Sequence, residues 1–188
     1  TADDQPATKT DEAGRTIAYT YDAVGRRLTN TQSNEGLSLT QKSRYDTAGR
    51  LTAQVDAAGL VTRYAGDKNR SIVKHTGGAT EITTRYLDRK TRSVTGTGVV
   101  PRFYRYGVNP DGSQWTTVFI GKEDSPRWEK TTRDIVGRVI LLEKPGFERI
   151  ETARHIYDNK GHLVRVETPG HAAIIYEYDA LGHPAMTG

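Results

Sequence analysis

The sequence predicts an all-β fold in which antiparallel β-hairpin repeats form a curved sheet or solenoid segment. One observation behind this prediction is a turn signal in which an aspartate stands three residues before a glycine. A second is that β-branched and aromatic stretches flank the turns. The turn signal occurs at Asp11–Gly14, Asp22–Gly25, Asp46–Gly49, Asp56–Gly59, Asp134–Gly137, Asp158–Gly161 and Asp179–Gly182. Because type I turns favour aspartate at their first position and glycine at their fourth, each copy predicts a hairpin.

Composition narrows the classes of protein to which the chain can belong. It has 188 residues, 35% of them hydrophobic, and 19 glycines, which suits one continuous, turn-rich repeat domain. The absence of cysteine excludes disulfides and thiolate metal sites. The apolar runs are too short for a membrane-spanning helix, so we expect no membrane span. Thr1 begins no signal peptide, and we expect the chain to start at a fragment boundary or a processed end.

The net charge of +4 does not predict a nucleic-acid partner. The 27 basic residues are interspersed with 23 acidic ones rather than gathered in a stripe with aromatic side chains between them. This pattern is typical of solvent-facing sides of strands. We therefore expect no nucleic-acid binding.

The first part of the chain divides into a lead-in and a regular block. Residues 1–10 are polar and lack periodicity, which predicts a disordered lead-in. Residues 11–65 carry regular repeats, and the alternation over residues 15–21 places Ile17, Tyr19 and Tyr21 on one face of a strand. The segment from Asn34 to Gly36 supplies the turn that the longest interval lacks.

Residues 66–132 are predicted to be degenerate repeats. Strand-forming stretches continue at residues 81–86, 102–106 and 115–120, and residues 109–112 form a good turn sequence. After Tyr86, however, Thr91 stands where the pattern expects glycine. The 88 residues from Asp46 to Asp134 equal four repeats of 22, which predicts that the spatial repeat persists where the sequence repeat fades.

Residues 133–188 return to regular repeats, and a shift of 24 residues superposes their two halves. Gly137 falls on Gly161, and Pro145–Gly146 falls on Pro169–Gly170. Each repeat therefore has two strands, an aspartate turn at one end and a proline–glycine turn at the other. For the whole chain this predicts about a dozen strands or slightly more.

Residues around four of the turns resemble a known repeat. A tyrosine directly precedes the aspartate at Tyr21, Tyr45, Tyr157 and Tyr178, and an arginine follows the glycine at Arg26, Arg50 and Arg138. This pattern resembles the Tyr-Asp-x-x-Gly-Arg-Leu repeats of the Rhs/YD-repeat family, with near-complete copies at residues 21–28 and 45–51.

The resemblance implies a location and partners for the chain. In this family the repeats wind into a β-sheet shell that encloses a polypeptide, often a toxin, in large secreted or surface proteins of bacteria and in animal teneurins. It implies that the protein is secreted or lies at the cell surface. The implied partners are further repeats of the parent shell or another copy of the chain, and an enclosed polypeptide cargo.

The repeated turn residues are interpreted as structural. An aspartate in every turn could suggest calcium binding or acid–base chemistry, but catalysis needs two carboxylates that converge on one substrate. A turn series instead spreads its carboxylates along an edge. We therefore expect the aspartates to cap turns, and we expect no catalytic residue, no cofactor and no metal.

The five histidines do not predict a zinc site. With simple pairing across the turns, His162 lies opposite Tyr157, His155 opposite Val164 and His171 opposite Val166, so no two histidines face each other. His75 is far in sequence from the other four, which all lie within the last 34 residues. His162 and His183 occupy the position after the turn glycine that arginine fills elsewhere, which indicates surface turn residues.

Three classes of function remain for comparison. A structural shell segment accounts for every recurrent residue by turn or strand chemistry, whereas an enzyme would break its own pattern at one place. The alternative is a glycan-binding surface module that uses exposed tyrosines together with Trp115 and Trp128, with a cell-surface glycan as its partner. We favour packing between neighbouring strands as the role of the recurrent tyrosines. The sequence therefore predicts a non-catalytic structural segment.

Overall fold

In the computed structural model, residues 7–12, 14–179 and 181–185 are described, and they form strands, turns and bends but no helix. Within these ranges there is consequently no helix that is long and apolar enough to cross a membrane. The described residues form 18 strands, of which β1–β16 follow one another in chain order in a single antiparallel sheet. The predicted all-β, antiparallel hairpin fold is confirmed, with more strands than expected.

The first of two compact units comprises Thr1–Lys90 and Thr95–Val99. Each of its strands pairs with the next along the chain through a short turn. Its strands are β1 (Thr8–Thr10), β2 (Thr16–Tyr21), β3 (Arg27–Asn34), β4 (Leu37–Tyr45), β5 (Leu51–Val55), β6 (Val61–Gly66), β7 (Arg70–Lys74) and β8 (Thr80–Arg85).

The second unit comprises Thr91–Val94 and Val100–Gly188. It has the same sequential antiparallel pairing, and its last two strands form a separate pair. Its strands are β9 (Thr91–Thr95, whose last residue belongs to the first unit), β10 (Arg102–Val108), β11 (Gln114–Ile120), β12 (Trp128–Arg133), β13 (Val139–Pro145), β14 (Ile150–Tyr157), β15 (Leu163–Glu167), β16 (Ile174–Ile175), β17 (Glu177–Tyr178) and β18 (Pro184–Ala185).

The lead-in differs in part from the prediction of disorder over residues 1–10. Residues 1–6 lie outside the described residues. Thr8–Thr10 instead form β1, which pairs with β2 in the register Thr8–Ala18 to Thr10–Thr16. The first aspartate turn creates this pairing, because it folds the segment before Asp11 back onto the strand that follows Gly14.

One backbone turn recurs through the chain. At Asp22 the backbone N–H donates to the Arg26 carbonyl at 3.0 Å, and the Gly25 N–H donates to the Asp22 carbonyl at 3.0 Å. The glycine has φ = 82°, so the loop is a type I turn closed by a left-handed residue. The same two hydrogen bonds occur at all seven aspartate turns.

A β-bulge follows the turn in four hairpins and shifts their register. At the turn after β2, Thr20 pairs with Thr29 and Tyr21 with Arg27, which leaves Leu28 without a partner on β2. Equivalent shifts follow the turns after β4, β12 and β14. Such a bulge adds one residue to the returning strand and increases its local twist.

The bulge and the turn length make the predicted histidine register wrong. Tyr157 pairs with Leu163 rather than His162, and His155 pairs with Val166 rather than Val164. Val166 in turn pairs with Ile174, whereas His171 lies in the turn before that strand. Simple pairing across a four-residue turn omits the extra residues that the bulge and the longer turn introduce.

The turn of the regular repeats also occurs within residues 66–132, where the assignment of degenerate repeats stays a prediction. The same pair of turn hydrogen bonds occurs with His75, Tyr86 and Asn109 at the aspartate position. At the Tyr86 turn the left-handed residue is Arg89, with φ = 67°. The left-handed position therefore lies two residues before Thr91, where the sequence pattern expects glycine. The degenerate repeats keep the backbone turn after losing its sequence signature.

The sheet has little buried apolar surface of its own. Among the described residues no hydrophobic side chain is fully buried, and the buried residues are polar: Ser93, Ser113, Thr117, Ser125 and Thr132. Neighbouring strands therefore depend on cross-strand side-chain pairs and backbone hydrogen bonds. The side chains at the turn ends of the strands form the most regular of these contacts.

Candidate functional site: a ladder of turn residues

The turn aspartate binds backbone with one oxygen and a cation with the other. Asp22 Oδ1 accepts hydrogen bonds from the backbone N–H groups of Val24 at 3.0 Å and Arg26 at 2.9 Å. Asp22 Oδ2 accepts the Arg26 Nε–H at 2.6 Å. The spacing of four residues between acid and cation follows directly from the turn, which brings the residue after the glycine back beside the aspartate.

The contact between the aspartate and the residue after the turn glycine, an arginine or a histidine, repeats in both units. Oδ2 of the aspartate lies 2.6–2.8 Å from the arginine Nε, or 3.1 Å from a histidine Nδ1. The pairs are Asp11–Arg15, Asp22–Arg26, Asp46–Arg50, Asp134–Arg138, Asp158–His162 and Asp179–His183. Asp56 makes only the backbone contacts, because Leu60 occupies its cation position.

These hydrogen bonds lower the pKa of five turn aspartates: Asp22, Asp46, Asp134, Asp158 and Asp179. The Arg26 backbone N–H is the main cause at Asp22, and the corresponding N–H of His183 is the main cause at Asp179. At Asp134, partial desolvation raises the pKa, but the side-chain and backbone hydrogen bonds of Arg138 outweigh it and lower the pKa. The pKa of Asp46 and that of Asp158 are lowered by equivalent contacts. The carboxylates are therefore held in their charged form.

In the first unit the cation of one turn reaches the next turn on the same edge. The Arg26 guanidinium lies over the Tyr45 ring, with its carbon 5.1 Å from the ring centroid. Its Nη1 donates to the Asp46 carbonyl at 3.2 Å. The Tyr45 hydroxyl donates back to the Arg27 carbonyl at 3.1 Å. Tyrosine, aspartate and arginine thus link two successive repeats.

The second unit repeats this link twice. The Arg138 guanidinium lies 4.7 Å from the Tyr157 ring centroid, and the Tyr157 hydroxyl donates to the Val139 carbonyl at 2.8 Å. One repeat later, the His162 ring stacks on Tyr178 at 4.7 Å with an interplanar angle of 21°. The Tyr178 hydroxyl donates to the Leu163 carbonyl at 2.9 Å. We call this chain of contacts from turn to turn the ladder.

Exposure differs between the residues after the turn glycine that contact a ladder tyrosine and those that do not. The side chains of Arg26, Arg138 and His162, each against a tyrosine, are 31–38% exposed. Those of Arg15, Arg50 and His183 are 65–72% exposed. All six pair with an aspartate, and the three less exposed side chains are those that also contact a tyrosine.

The remaining predicted site residues lie elsewhere on the strands. Tyr21 lies 6.4 Å from Tyr19 between ring centroids, and Arg27 covers Tyr19. Trp115 lies across from Gly107 so closely that a Cβ at Gly107 would stand 2.3 Å from the indole. Trp128 is half-buried opposite Phe119.

The geometry gives the glycan hypothesis no support. Stacking on a sugar requires an open aromatic face. Arg26, Arg138 and His162 instead cover the faces of three of the four repeat tyrosines. Lys130 Nζ lies 5.9 Å from the Trp115 ring and pairs with Glu143 at 2.9 Å.

The histidines are dispersed over turns and strands. His162 and His183 lie beside their turn aspartates, His155 is on β14, and His75 and His171 lie in turns. In the described part of the chain, no three histidine, aspartate or glutamate side chains converge as they would around a metal ion.

The sequence pattern identifies the residue after the turn glycine but does not show which side chains it contacts. Its role depends on two distances, to the aspartate four residues earlier and to the tyrosine of the following repeat. The first could be found from the regular spacing of aspartate and arginine. The second requires the strand order, because Arg26 and Tyr45 are 19 residues apart in the sequence.

Comparisons with known proteins agree with the repeat pattern in the first third of the chain. Residues 1–37 and 45–65 match the family model described as RHS Repeat. These residues include the turns at Asp22 and Asp46. No curated protein matches the chain by sequence.

Three solved structures illustrate the structural similarity. The match to the crystal structure of TcdB2–TccC3–Cdc42 covers 92% of this chain and 9% of the matched chain, at 16% identity and a TM-score of 0.44. The match to the crystal structure of TcdB2–TccC3 without its hypervariable C-terminal region covers 94% of this chain and 15% of the matched chain, at 11% identity and a TM-score of 0.43. The match to the Tc holotoxin pore of Photorhabdus luminescens with a TccC3 mutation covers 96% of this chain and 12% of the matched chain, at 14% identity and a TM-score of 0.36. The chain therefore spans less than a sixth of the length of each of these three chains.

Proposed function

We propose that the chain, of which residues 1–37 and 45–65 match the RHS Repeat model, is a non-catalytic structural segment of a longer repeat shell in a secreted or surface protein of bacteria. The shell would enclose a polypeptide cargo, such as a toxin. Its other partners would be further repeats of the parent protein or a second copy of this chain.

The ladder is the observation that carries this proposal. In the copies where the tyrosine, the aspartate and the cation occur together, these recurrent side chains contact their own turn or the next one. A catalytic site requires groups that are aimed at a substrate, whereas these groups are aimed at one another. The repeated chemistry therefore serves to join strands into a stack.

The absence of buried hydrophobic side chains among the described residues also supports a role within a larger assembly. Repeat proteins bury a shared surface only when neighbouring units cover one another. Half-exposed residues such as Ile150, Ile174 and Ile175 would gain cover from such neighbours. A closed shell would provide them.

The test uses the full-length protein that contains this chain, purified with an antibody against the chain. Limited proteolysis followed by mass spectrometry would compare the native protein with a variant carrying Arg26→Ala and Arg138→Ala. We expect sequence outside the repeats to be protected in the native protein and cut faster in the variant, because loosening the ladder opens the shell. Fractionation of the culture should place the protein in the medium or at the cell surface.

Three results would contradict the proposal. Equal cleavage of the non-repeat sequence in both proteins would show that the repeats enclose nothing. Recovery of the protein only from the cell interior would contradict the location. A turnover assay with loss of activity in a turn-residue variant that retains its fold would contradict the non-catalytic role.

A further inference from the structure

The ladder of the first unit is interrupted after Arg50, and we propose that the groove left there binds a tyrosine side chain carried by another polypeptide. This Arg50 groove is lined by Arg50, Leu51, Thr52, Tyr64, Gly66 and Asp67, among others, and has a volume of about 450 Å³. The proposal rests on contacts within one unit and does not depend on the proposed shell function.

A glycine occupies the position where the ladder needs its tyrosine. In the preceding link, Tyr45 directly precedes the turn that begins at Asp46, and its ring lies against Arg26. The next turn on the same edge begins at Asp67, whose backbone N–H donates to the Arg70 carbonyl at 2.8 Å. Gly66 directly precedes it. The chain therefore offers Arg50 no ring from this position.

The local backbone prevents the chain from filling the groove itself. Gly66 has φ = 152°, and a Cβ at this position would stand 2.2 Å from the Arg70 carbonyl oxygen. Any side chain here would require the turn to move. The neighbouring Tyr64 lines the groove, but its hydroxyl donates to the Gln54 side chain at 2.8 Å rather than to a backbone carbonyl as in the ladder links.

Arg50 presents an open guanidinium to the groove. Its Nε is held by Asp46 Oδ2 at 2.8 Å, so the side chain is oriented as Arg26 is oriented by Asp22. It is nevertheless 70% exposed, whereas Arg26 beneath its tyrosine is 32% exposed. The guanidinium is thus oriented as in the ladder and open to an aromatic ring supplied by a ligand.

The ladder itself defines the chemistry of the ligand. A planar guanidinium stacks on an aromatic face and favours it over an aliphatic group. The residue two positions after the turn glycine gives its carbonyl to the tyrosine hydroxyl in all three observed links, and Leu51 holds that position beside Arg50. In those links the ring is carried by a polypeptide backbone, so a tyrosine in an extended segment is the ligand that fits.

The first experiment measures binding of a tyrosine side chain to the isotopically labelled chain by NMR. N-acetyl-L-tyrosine amide should cause saturable shifts at the Arg50, Leu51 and Gly66 amides and at Arg50 Nε, with a dissociation constant in the millimolar range. N-acetyl-L-phenylalanine amide should bind about fivefold more weakly, because it lacks the hydrogen bond to the carbonyl. N-acetyl-L-leucine amide should produce no saturable shift.

A short peptide with tyrosine between glycines distinguishes a polypeptide ligand from a small phenol. We expect the peptide to bind at least as tightly as p-cresol and to shift the same amides. Tighter binding of p-cresol than of the peptide would overturn the assignment of a polypeptide carrier. Absence of saturable shifts with the tyrosine amide, or equal shifts with the leucine amide, would overturn the site.

Variants of the chain test whether the ligand binds at Arg50. Arg50→Ala should weaken binding of the tyrosine amide at least about threefold, from the lost contact between guanidinium and ring. Arg50→Lys keeps a charge beside Asp46 but lacks the planar guanidinium, and should bind more weakly than the parent while keeping its amide spectrum. Arg63→Ala is the matched control, because Arg63 is an exposed arginine on β6 that does not line the groove. Unchanged affinity in both Arg50 variants would contradict the proposal.

Discussion

The turn aspartate divides its two carboxylate oxygens between backbone and cation. At Asp22 one oxygen accepts two backbone N–H groups that the turn leaves without partners in the strands, and the other accepts Arg26. The glycine at the end of the turn provides the left-handed backbone that other residues adopt with strain. The two residues together determine the geometry that places the following cation.

Asp22 should make stability depend on pH in the acid range. Its pKa in the folded chain lies below the ordinary value of 3.8. Its contribution to the free energy of unfolding is therefore complete above pH 3.8 and is lost as the pH falls towards the lowered pKa. Asp22→Asn should therefore be less stable than the parent at pH 7, by a difference that shrinks below pH 3.8. Urea unfolding at a series of pH values measures this difference.

Glu123→Gln serves as a control for that series, since Glu123 lies on a loop outside the aspartate turns. Its stability should follow that of the parent at each pH. A constant difference between Asp22→Asn and the parent from pH 7 to the acid range would show that the carboxylate charge contributes nothing.

Gly137 should resist substitution for a backbone reason alone. It has φ = 89°, and a Cβ there would meet no other atom within 4 Å, so a clash cannot explain any loss of stability. Gly137→Val should cost about 1–3 kcal/mol from the strained backbone. Gln114→Val, at an exposed strand position, should change the free energy of unfolding by no more than about 0.5 kcal/mol. Equal stability of the two variants would mean that the glycine is only a flexible spacer.

At the scale of elements, the unit that repeats is a hairpin together with its contact to the next hairpin. The cation reaches forward to a tyrosine, and the tyrosine hydroxyl reaches back to a strand carbonyl. His162 makes the same two contacts with its imidazole ring that Arg138 makes with its guanidinium. The link therefore tolerates the replacement of arginine by histidine when both the spacing and the planar shape are kept.

A double-mutant cycle on Arg138 and Tyr157 should measure the link. Arg138→Ala and Tyr157→Leu should couple by about 0.5–1 kcal/mol in chemical denaturation, which is typical of a cation over an aromatic ring near solvent. Arg50→Ala removes an equivalent ion pair with an aspartate but no aromatic contact. It should therefore lower the free energy of unfolding less than Arg138→Ala does, by about 0.5–1 kcal/mol. Additive effects of the two substitutions would show that the ring contact does not contribute.

The sequence predicts the hairpins well because each turn is encoded within five consecutive residues. It does not predict the bulge, because Leu28 and its counterparts have no distinguishing residue type and the extra residue appears only in the hydrogen-bond register. It also misplaces the Tyr86 turn, because Arg89 adopts the left-handed conformation that the pattern reserves for glycine. Local signals thus identify elements, whereas register and ladder contacts depend on neighbouring strands.

At the scale of the whole molecule, the described residues form a sheet in which no hydrophobic side chain is fully buried. In repeat proteins, stability is close to a sum of terms within repeats and terms between nearest neighbours. The ladder supplies such a neighbour term at its three links, Arg26–Tyr45, Arg138–Tyr157 and His162–Tyr178. Weakening one link should then affect the strands on either side of it before it affects distant strands.

Hydrogen exchange followed by mass spectrometry tests most directly whether the recurrent residues join repeat to repeat. In a chain with Arg138→Ala and Tyr157→Leu, we predict exchange about fivefold faster in β13–β15 for each 1 kcal/mol lost, with unchanged exchange in β2–β5. Arg50→Ala should leave β13–β15 as in the parent. Unchanged protection of β13–β15 in the double variant, or an equal loss of protection in every strand, would contradict the account.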